Sequence, residues 1–121
     1  MLQHQLIEDE SILIILPQGP LATDDFTALA AEIDPAIERT GRLQGILIEA
    51  AAFPGWEDFS AMTAHLRFVR DHHCNIRRVA VVSDSTVLAF LPRLASHFVA
   101  AEVRYFPDAE RAGAMDWLRE D

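Results

Sequence analysis

The apolar positions of the chain fall into short runs separated by polar segments. Residues 2–7 and 12–16 are rich in leucine and isoleucine, and a short polar segment separates them, a pattern that predicts a β-hairpin. Residues 45–49 and 79–83 are apolar without alternation, as in parallel strands that are buried on both faces. Residues 102–106 predict a fifth strand.

The interval after the hairpin predicts the first helix. Apolar residues recur at helical spacing between Phe26 and Ile37. Thr23 is a candidate N-cap, and Gly41 is a candidate C-terminal stop. Pro35 lies inside this helix and is expected to kink it or to restart it.

Three further helices are predicted along the chain. One spans about residues 56–73, and the next spans about residues 85–99, where Pro92 kinks or divides it. Asp108 is a candidate cap of the last helix, whose apolar positions are Ala112, Met115, Trp117 and Leu118. The element order β-β-α-β-α-β-α-β-α indicates one α/β domain over residues 1–121, with a five-stranded, mostly parallel mixed sheet and four main helices.

Composition and charge exclude several classes of function. Half of the 121 residues are hydrophobic, which is enough for a core without disulfides or metals. The net charge of −9 disfavours binding to nucleic acids, because phosphates would repel this surface. There is no basic leader and no apolar run long enough to cross a bilayer, so we expect a cytoplasmic protein. All ten basic residues are arginine, which excludes chemistry that depends on lysine.

The histidines do not form a metal-binding pattern. His65 and His72 are too far apart on one helix, and His72 and His73 are adjacent and point in different directions. We interpret them as partly exposed surface histidines, and Cys74 as a structural or incidental thiol. A lone cysteine also fits a reducing compartment, and no metal or cofactor is expected.

Two carboxylates deserve a chemical interpretation. Glu49 and Asp84 end two predicted buried strands, at the edge where α/β proteins hold ligands. Such a pair could carry out acid–base chemistry. No nucleophile or phosphate-binding loop accompanies the pair, so the pattern favours strand-end acids that cap the following helices. We therefore expect that the protein is not an enzyme.

Three stretches together resemble a known family. They are the opening hairpin that leads through Gly19 into the helix starting at residues 24–26, the strand of residues 78–84, and residues 101–106 followed by 112–118. In element order and loose pattern they resemble the bacterial SpoIIAA-like proteins, a branch of the STAS superfamily. The resemblance extends over essentially the whole chain and implies the SpoIIAA/STAS-like fold.

The resemblance makes one junction informative. STAS-type antagonists of anti-sigma factors carry an Asp-Ser-Gly-like phosphoswitch where the third strand passes into the next helix. Here residues 49–56 contain no serine or threonine. Asp84 and Ser85 resemble the motif but follow the next strand, where an Asp-Ser helix cap is the favoured interpretation. We predict no phosphorylation-controlled switching at this junction, Ser60 being the nearest downstream serine.

The second and third predicted helices have broader apolar arcs than one packed face needs. On the second helix, one face is wide enough to cover a sheet, and it consists of Phe59, Met62, Leu66 and Val69. Nearly opposite lie Ala61, Ala64 and Phe68. The stripe on the third helix is Val87, Leu91, Leu94 and Phe98, widened by Leu88, Phe90, Ala95 and Val99. The surplus either packs the two helices together or marks a partner surface, a self-association face or an apolar cavity.

We predict that these two helices border an apolar ligand site. Trp56 is expected near its entrance, in a Pro-Gly loop that could act as a gate, and the other expected residues are Phe59, Met62, Leu66, Leu88 and Leu91. An anionic head group could meet Arg67, Arg70, Arg77 and Arg78, although a solvated helix face is the commoner explanation of such a group.

The similarity of SpoIIAA-like proteins to STAS and to lipid-carrying CRAL-TRIO domains implies a class of function. It implies a non-enzymatic binding module for a small apolar or lipid-like ligand, with peripheral contact at a membrane surface. The alternative is a STAS-type protein-interaction module that has lost the phosphoswitch serine. A protein partner and a homodimer both stay open.

Overall fold

Five strands form one mixed sheet in the order β1-β2-β3-β4-β5. The computed structural model describes residues 1–121, except for the side chains of Leu91 and Leu94. The strands are β1 (Leu2–Ile7), β2 (Ile12–Pro17), β3 (Leu43–Glu49), β4 (Ile76–Val82) and β5 (Glu102–Phe106). β1 pairs antiparallel with β2, and every later neighbour is parallel, which confirms the predicted mixed sheet with its opening hairpin.

The helices occupy both faces of the sheet. They are α1 (Thr23–Thr40), α2 (Phe59–His72), α3 (Thr86–Ala89), α4 (Leu91–Ala95) and α5 (Arg111–Arg119). α1 and α2 pack side by side over one face, and α5 covers the other. Connections between parallel neighbours are right-handed, which puts α3 and α4 on the same face as α1 and α2.

Each face of the sheet has its own apolar core. Under α1 and α2 the buried residues include Leu13, Phe26, Leu29, Ile33, Leu43 and Ile76. Under α5 they include Ile12, Leu47, Ala80, Val82, Met115, Trp117 and Leu118. β3 lies at the centre of the sheet between the two cores, as its uninterrupted apolar sequence predicts.

α1 begins differently from the prediction, and it is not restarted at Pro35. Ala22 rather than Thr23 is the N-cap residue, and its N–H donates to the Asp25 carboxylate at 2.8 Å. The helix runs through Pro35 as one element. It ends as predicted at Gly41, which has φ of 90° and donates its N–H to the Ile37 carbonyl at 2.7 Å.

The third predicted helix is divided into α3 and α4. α3 ends at Ala89 and α4 starts at Leu91, and Pro92 has no N–H to offer the carbonyl of Leu88, so a hydrogen bond of a continuous helix is missing here. α4 then ends at Ala95 rather than at Val99. The prediction that Asp108 caps the last helix was also wrong, because Asp108 lies in a short 3₁₀ turn (Asp108–Glu110) that precedes α5.

Candidate functional site

The face of α2 that packs on the core is the narrower apolar face, nearly opposite Phe59 and Leu66. Ala61 is completely buried, and Ala64 and Phe68 pack against the core under α1. Phe59 and Leu66 are instead 76% and 61% exposed. The face with Phe59, Met62, Leu66 and Val69 is wide enough to cover a sheet, but its Phe59 and Leu66 side chains do not do so. Ala61, Ala64 and Phe68 of α2 therefore face the core, whereas Phe59 and Leu66 point outward.

The exposed large apolar side chains fall into two groups along the chain, and each group is called a patch below. The α2 patch comprises the β3–α2 loop residues Phe53 and Trp56 with Phe59 and Leu66 on the helix. The α3–α4 patch comprises Val87, Phe90 and Phe98, which are 72%, 68% and 74% exposed. Both patches belong to neighbouring connections on the same side of the sheet.

The remaining predicted site residues lie in different environments. Met62 is half-buried on α2. Leu88 is only 8% exposed, so it belongs to the packed underside of α3. The side chain of Leu91 lies outside the described residues. Trp56, Phe59 and Leu66 are thus exposed, whereas Leu88 is buried.

The loop that carries Trp56 is held in place by backbone hydrogen bonds. Leu21 N–H donates to the Gly55 carbonyl at 2.8 Å, and Glu57 N–H donates to the Leu21 carbonyl at 2.8 Å. Gly55 has φ of 80°, a conformation that favours glycine. α2 begins only after this loop, where the Asp58 carboxylate accepts the Ala61 N–H at 2.9 Å. Trp56 therefore precedes the helix rather than starting it.

A half-buried histidine connects Trp56 to α1. The Trp56 indole N–H donates to His65 Nδ1 at 3.1 Å, and the His65 ring stacks on Phe26 with 4.9 Å between centroids. Burial lowers the pKa of His65, since desolvation penalises the imidazolium. The neutral ring is also the form whose Nδ1 can accept the indole proton. Phe53 packs edge-on against Trp56 with a centroid distance of 4.9 Å.

His72 and His73 also form contacts with other groups of the protein. His72 is buried between α1 and α2, where its Nδ1 lies 2.7 Å from the Phe68 carbonyl and its Nε2 2.8 Å from Asp34 Oδ1. His73 Nδ1 accepts the Ala100 N–H at 2.8 Å. The interpretation as a partly exposed surface residue was therefore wrong for His72, whereas His65 and His73 are partly exposed. The apolar periodicity does not reveal these contacts, because it does not show that the face of α2 with His65 and Phe68 meets α1.

Side chains at the carboxyl ends of the strands bond to neighbouring elements. Glu49 pairs with Arg111 of α5 at 3.3 Å, and Asp84 accepts the Asp108 N–H at 3.1 Å. The Ser83 hydroxyl is buried and donates to the Ala51 carbonyl at 3.3 Å. Ser85 caps α3 by accepting the Leu88 N–H at 3.4 Å, which agrees with the favoured interpretation of that motif.

The four arginines do not form one cluster. Arg70 pairs with Asp71 on α2, and this hydrogen bond lowers the pKa of Asp71. Arg77 and Arg78 belong to β4 and reach the end of α5: Arg77 bonds the Glu120 carbonyl, and Arg78 donates to the Trp117 carbonyl at 2.6 Å. Only Arg67 and Arg70 remain on α2, so the predicted four-residue group for an anionic head group is divided between two faces of the molecule.

Two open grooves lie away from the predicted site. One, of about 380 Å³, is lined by Leu2, Gln3, His4, Gln5, Ile14 and Leu16. The other, of about 400 Å³, lies near the end of α2 and is lined by Ala30, Asp34, Ile37, Glu38, Asp71, His72 and Asn75. Within the described residues, no group of three metal-ligating side chains is placed to hold an ion. None of the helices described has the length and hydropathy to cross a membrane.

Comparison with known proteins agrees with this architecture. An uncharacterized protein of the DUF3478 family from Shewanella loihica PV-4, with a SpoIIAA-like fold, superposes with a TM-score of 0.75 at 21% identity, covering 98% of this chain and 92% of that one. No curated protein matches the chain. SpoIIAA-like domains are generally non-enzymatic regulatory modules, and STAS-like domains commonly mediate protein interactions. The model of the SpoIIAA-like family matches residues 12–119. Since this match extends over most of the sequence, the chain belongs to the SpoIIAA-like family.

Proposed function

We propose that the protein is a non-enzymatic binding module whose α2 and α3–α4 patches take up a small apolar or lipid-like ligand. The observation that carries the proposal is the exposure of large apolar side chains on both connections, all of them more than 60% exposed: Phe59, Leu66, Val87, Phe90 and Phe98. Single exposed apolar residues are ordinary, but a concentration of this kind marks binding surfaces.

The energetics of such a site favour an acyl chain. Each buried CH₂ group contributes about 0.8 kcal/mol, and micromolar affinity requires about 8 kcal/mol net. A chain of about ten methylene groups supplies a gross contribution of this size, and a longer chain also offsets part of the cost of association. Arg67 and Arg70 on α2 are the cations nearest to the α2 patch in the sequence and would meet an anionic head group.

The division of α3 and α4 gives the site a means of opening. Pro92 already interrupts the helical ladder between the two short helices. The α3–α4 segment can therefore shift over the sheet without breaking the pairing between strands. In the proposed binding motion, α3 and α4 move towards α2 and enclose the ligand between the two patches.

The test follows the emission of Trp56 during titration with a fluorescent fatty acid. Trp117→Phe removes the signal of the second tryptophan. Trp117 lies under α5 on the opposite face of the sheet, so this substitution is remote from both patches. Leu66→Asp should reduce binding at least about tenfold, since a charge would be desolvated by the ligand. Leu66 is exposed, so the circular dichroism spectrum should not change.

The matched control is Ala31→Asp, which places the same charge on the exposed side of α1. It should bind like the parent protein. Absence of saturable binding in the parent, or equal binding by Leu66→Asp, would overturn the ligand proposal. Sedimentation with phosphatidylcholine vesicles tests peripheral membrane contact separately, and Leu66→Asp should remain in the supernatant.

A STAS-type protein-interaction module is the second candidate. It is favoured by the outward direction of Phe59 and Leu66, which a partner surface could cover without any movement of α3 and α4. The two candidates differ in what copurifies. Native mass spectrometry of the freshly purified protein should show added mass of a small molecule for a carrier and a stoichiometric protein for an interaction module.

Either function would operate without a phosphoswitch at the β3–α2 junction. Residues 49–56 offer no hydroxyl group, and the buried Ser83 hydroxyl is already bonded to Ala51. Incubation with an anti-sigma kinase and ATP should leave the mass of the protein unchanged. Stoichiometric phosphate on Ser60, which is exposed in the first turn of α2, would contradict this expectation.

A further inference from the structure

The backbone of β1 has a free side at the edge of the sheet. Gln18 N–H donates to the Met1 carbonyl at 2.8 Å, so Met1 and Gln18 are a hydrogen-bonded pair. This pair and the register show which residues of β1 bond to β2. Because hydrogen-bonded pairs alternate along an antiparallel ladder, Leu2, His4 and Leu6 turn their N–H and C=O groups away from β2. Pro17, which has no N–H, lies opposite Leu2 at a position where none is required.

This edge lacks the features that usually prevent pairing. Edge strands are commonly protected by charged side chains, proline or a bulge. β1 contains no Asp, Glu, Arg or Pro, although the whole chain has 19 acidic residues. Its sequence Leu-Gln-His-Gln-Leu also reads the same in both directions around His4.

We propose that two copies of the chain pair antiparallel through β1, with the two-fold axis at His4. In this register Leu2 lies opposite Leu6 of the second copy, Gln3 opposite its Gln5, and the two His4 residues opposite each other. The axis lies at an outward-facing residue, so each outward N–H meets an outward C=O. Two five-stranded sheets then become one ten-stranded sheet with an isologous interface.

Side chains on both faces fit this arrangement. Leu2 and Leu6 are half-buried against the core under α1, so the leucine pairs would extend that core across the axis. Exposed Gln3 and Gln5 would exchange amide hydrogen bonds on the opposite face. The groove of about 380 Å³ along Gln3, Gln5 and Leu16 leaves room for the side chains of the second copy.

The nearest acid does not oppose the contact. Glu32 Oε2 of α1 lies 2.9 Å from His4 Nδ1, close enough for an ion pair although the geometry is not that of a hydrogen bond. Each copy therefore brings one carboxylate and one imidazole of the same chain to the axis. The general repulsion between two chains of charge −9 acts over longer distances and is screened by salt.

The first test measures mass by sedimentation equilibrium over a range of concentrations, because a dimer fraction follows mass action. The wild-type protein should have twice the chain mass. His4→Pro removes an outward N–H and should give a folded monomer, whereas Gln5→Pro removes an N–H of the β1–β2 ladder and should also lower the Tm. A monomeric wild type, or a His4→Pro variant that stays dimeric, would overturn the proposal.

The second test examines the register. Gln3→Glu with Gln5→Glu places like charges opposite each other and should raise the dimer dissociation constant at least about tenfold. Gln3→Lys with Gln5→Glu places opposite charges there and should retain the dimer. Equal behaviour of the two double variants would contradict the register. Leu66→Asp should leave the mass unchanged; a monomer there would assign self-association to the α2 patch instead.

Discussion

Gly45 is a residue at which β3 and α5 approach each other closely. A Cβ atom at this position would lie 2.8 Å from Leu118 Cδ2 and 3.3 Å from Leu118 Cβ. Leu118 is completely buried, so its side chain has no free direction in which to move. The glycine is therefore required by packing, since it lets the helix lie directly on the central strand.

We expect Gly45→Ala to destabilise the fold by about 1–3 kcal/mol, the usual cost of overpacking a core. Urea denaturation followed by circular dichroism measures the change. Gly113→Ala in α5 is the control, because its Cβ would meet no atom within 4 Å and should stabilise the helix by about 0.5–1 kcal/mol. Equal stability of Gly45→Ala and the parent would show that α5 can move aside.

His65 makes stability depend on pH. Burial lowers its pKa from 6.5, so the unfolded chain binds a proton in a range where the folded protein does not. The stabilisation from the neutral ring is complete above pH 6.5, and it is lost as the pH falls through the lower pKa of His65 in the folded protein. His65 therefore destabilises the protein on acidification.

The matched variant is His65→Gln, which does not titrate and whose amide oxygen can accept the Trp56 N–H. Between about pH 7.5 and pH 5, the wild type should lose more free energy of unfolding than this variant. Parallel urea titrations at both pH values give the difference, which removes the contribution of all other groups. A larger loss in His65→Gln would reverse the assignment.

At the scale of elements, the orientation of α2 depends on side-chain size. Ala61 and Ala64 let the helix approach the sheet, and Phe68 fills the space beside Phe26 with 6.0 Å between ring centroids. The more apolar face, with Phe59 and Leu66, is left in solvent. Hydrophobicity alone would place that face inside.

Alanine substitution distinguishes the two faces. Phe68→Ala should destabilise the protein by about 2–4 kcal/mol, because it leaves a gap between α1 and α2. Phe59→Ala should change stability by no more than about 0.5 kcal/mol, since the side chain is 76% exposed. Thermal denaturation of both variants is sufficient, and a larger effect at Phe59 would mean that this helix face is packed.

The sequence was sufficient to predict the five strands, the antiparallel opening hairpin and the otherwise parallel sheet, because apolar runs separated by helical periods leave few possible topologies. It was not sufficient for the candidate site. A helical wheel identifies two apolar faces on α2 but does not indicate that α1 will contact Ala64 and Phe68. The hydrogen bond from Trp56 to His65 joins a loop to a helix, and local spacing cannot reveal it.

At the scale of the whole molecule, the net charge of −9 opposes compactness. The ion pairs that offset it are mostly exposed, such as Arg119 with Glu10, whose hydrogen bond raises the pKa of Arg119. Exposed pairs contribute little, so repulsion dominates.

Raising NaCl to about 0.5 M should therefore increase the Tm at neutral pH, because the screening length falls to a few ångströms. The control is the same experiment near the isoelectric point of about 4.8, where the net charge vanishes and the effect should be small. A Tm that falls with salt at neutral pH would show that the ion pairs outweigh the repulsion.

The position of α5 has a consequence for how the protein is made. One face of the sheet is covered by this helix alone, and α5 follows the last strand in the sequence. Chains are synthesised from the N-terminus at about 5–20 residues per second, so the nascent sheet waits for α5 with Leu47, Val82 and Phe106 open to water. During that interval the polypeptide on the ribosome is a natural client for chaperones that shield apolar strands, and release from them becomes possible once α5 has emerged.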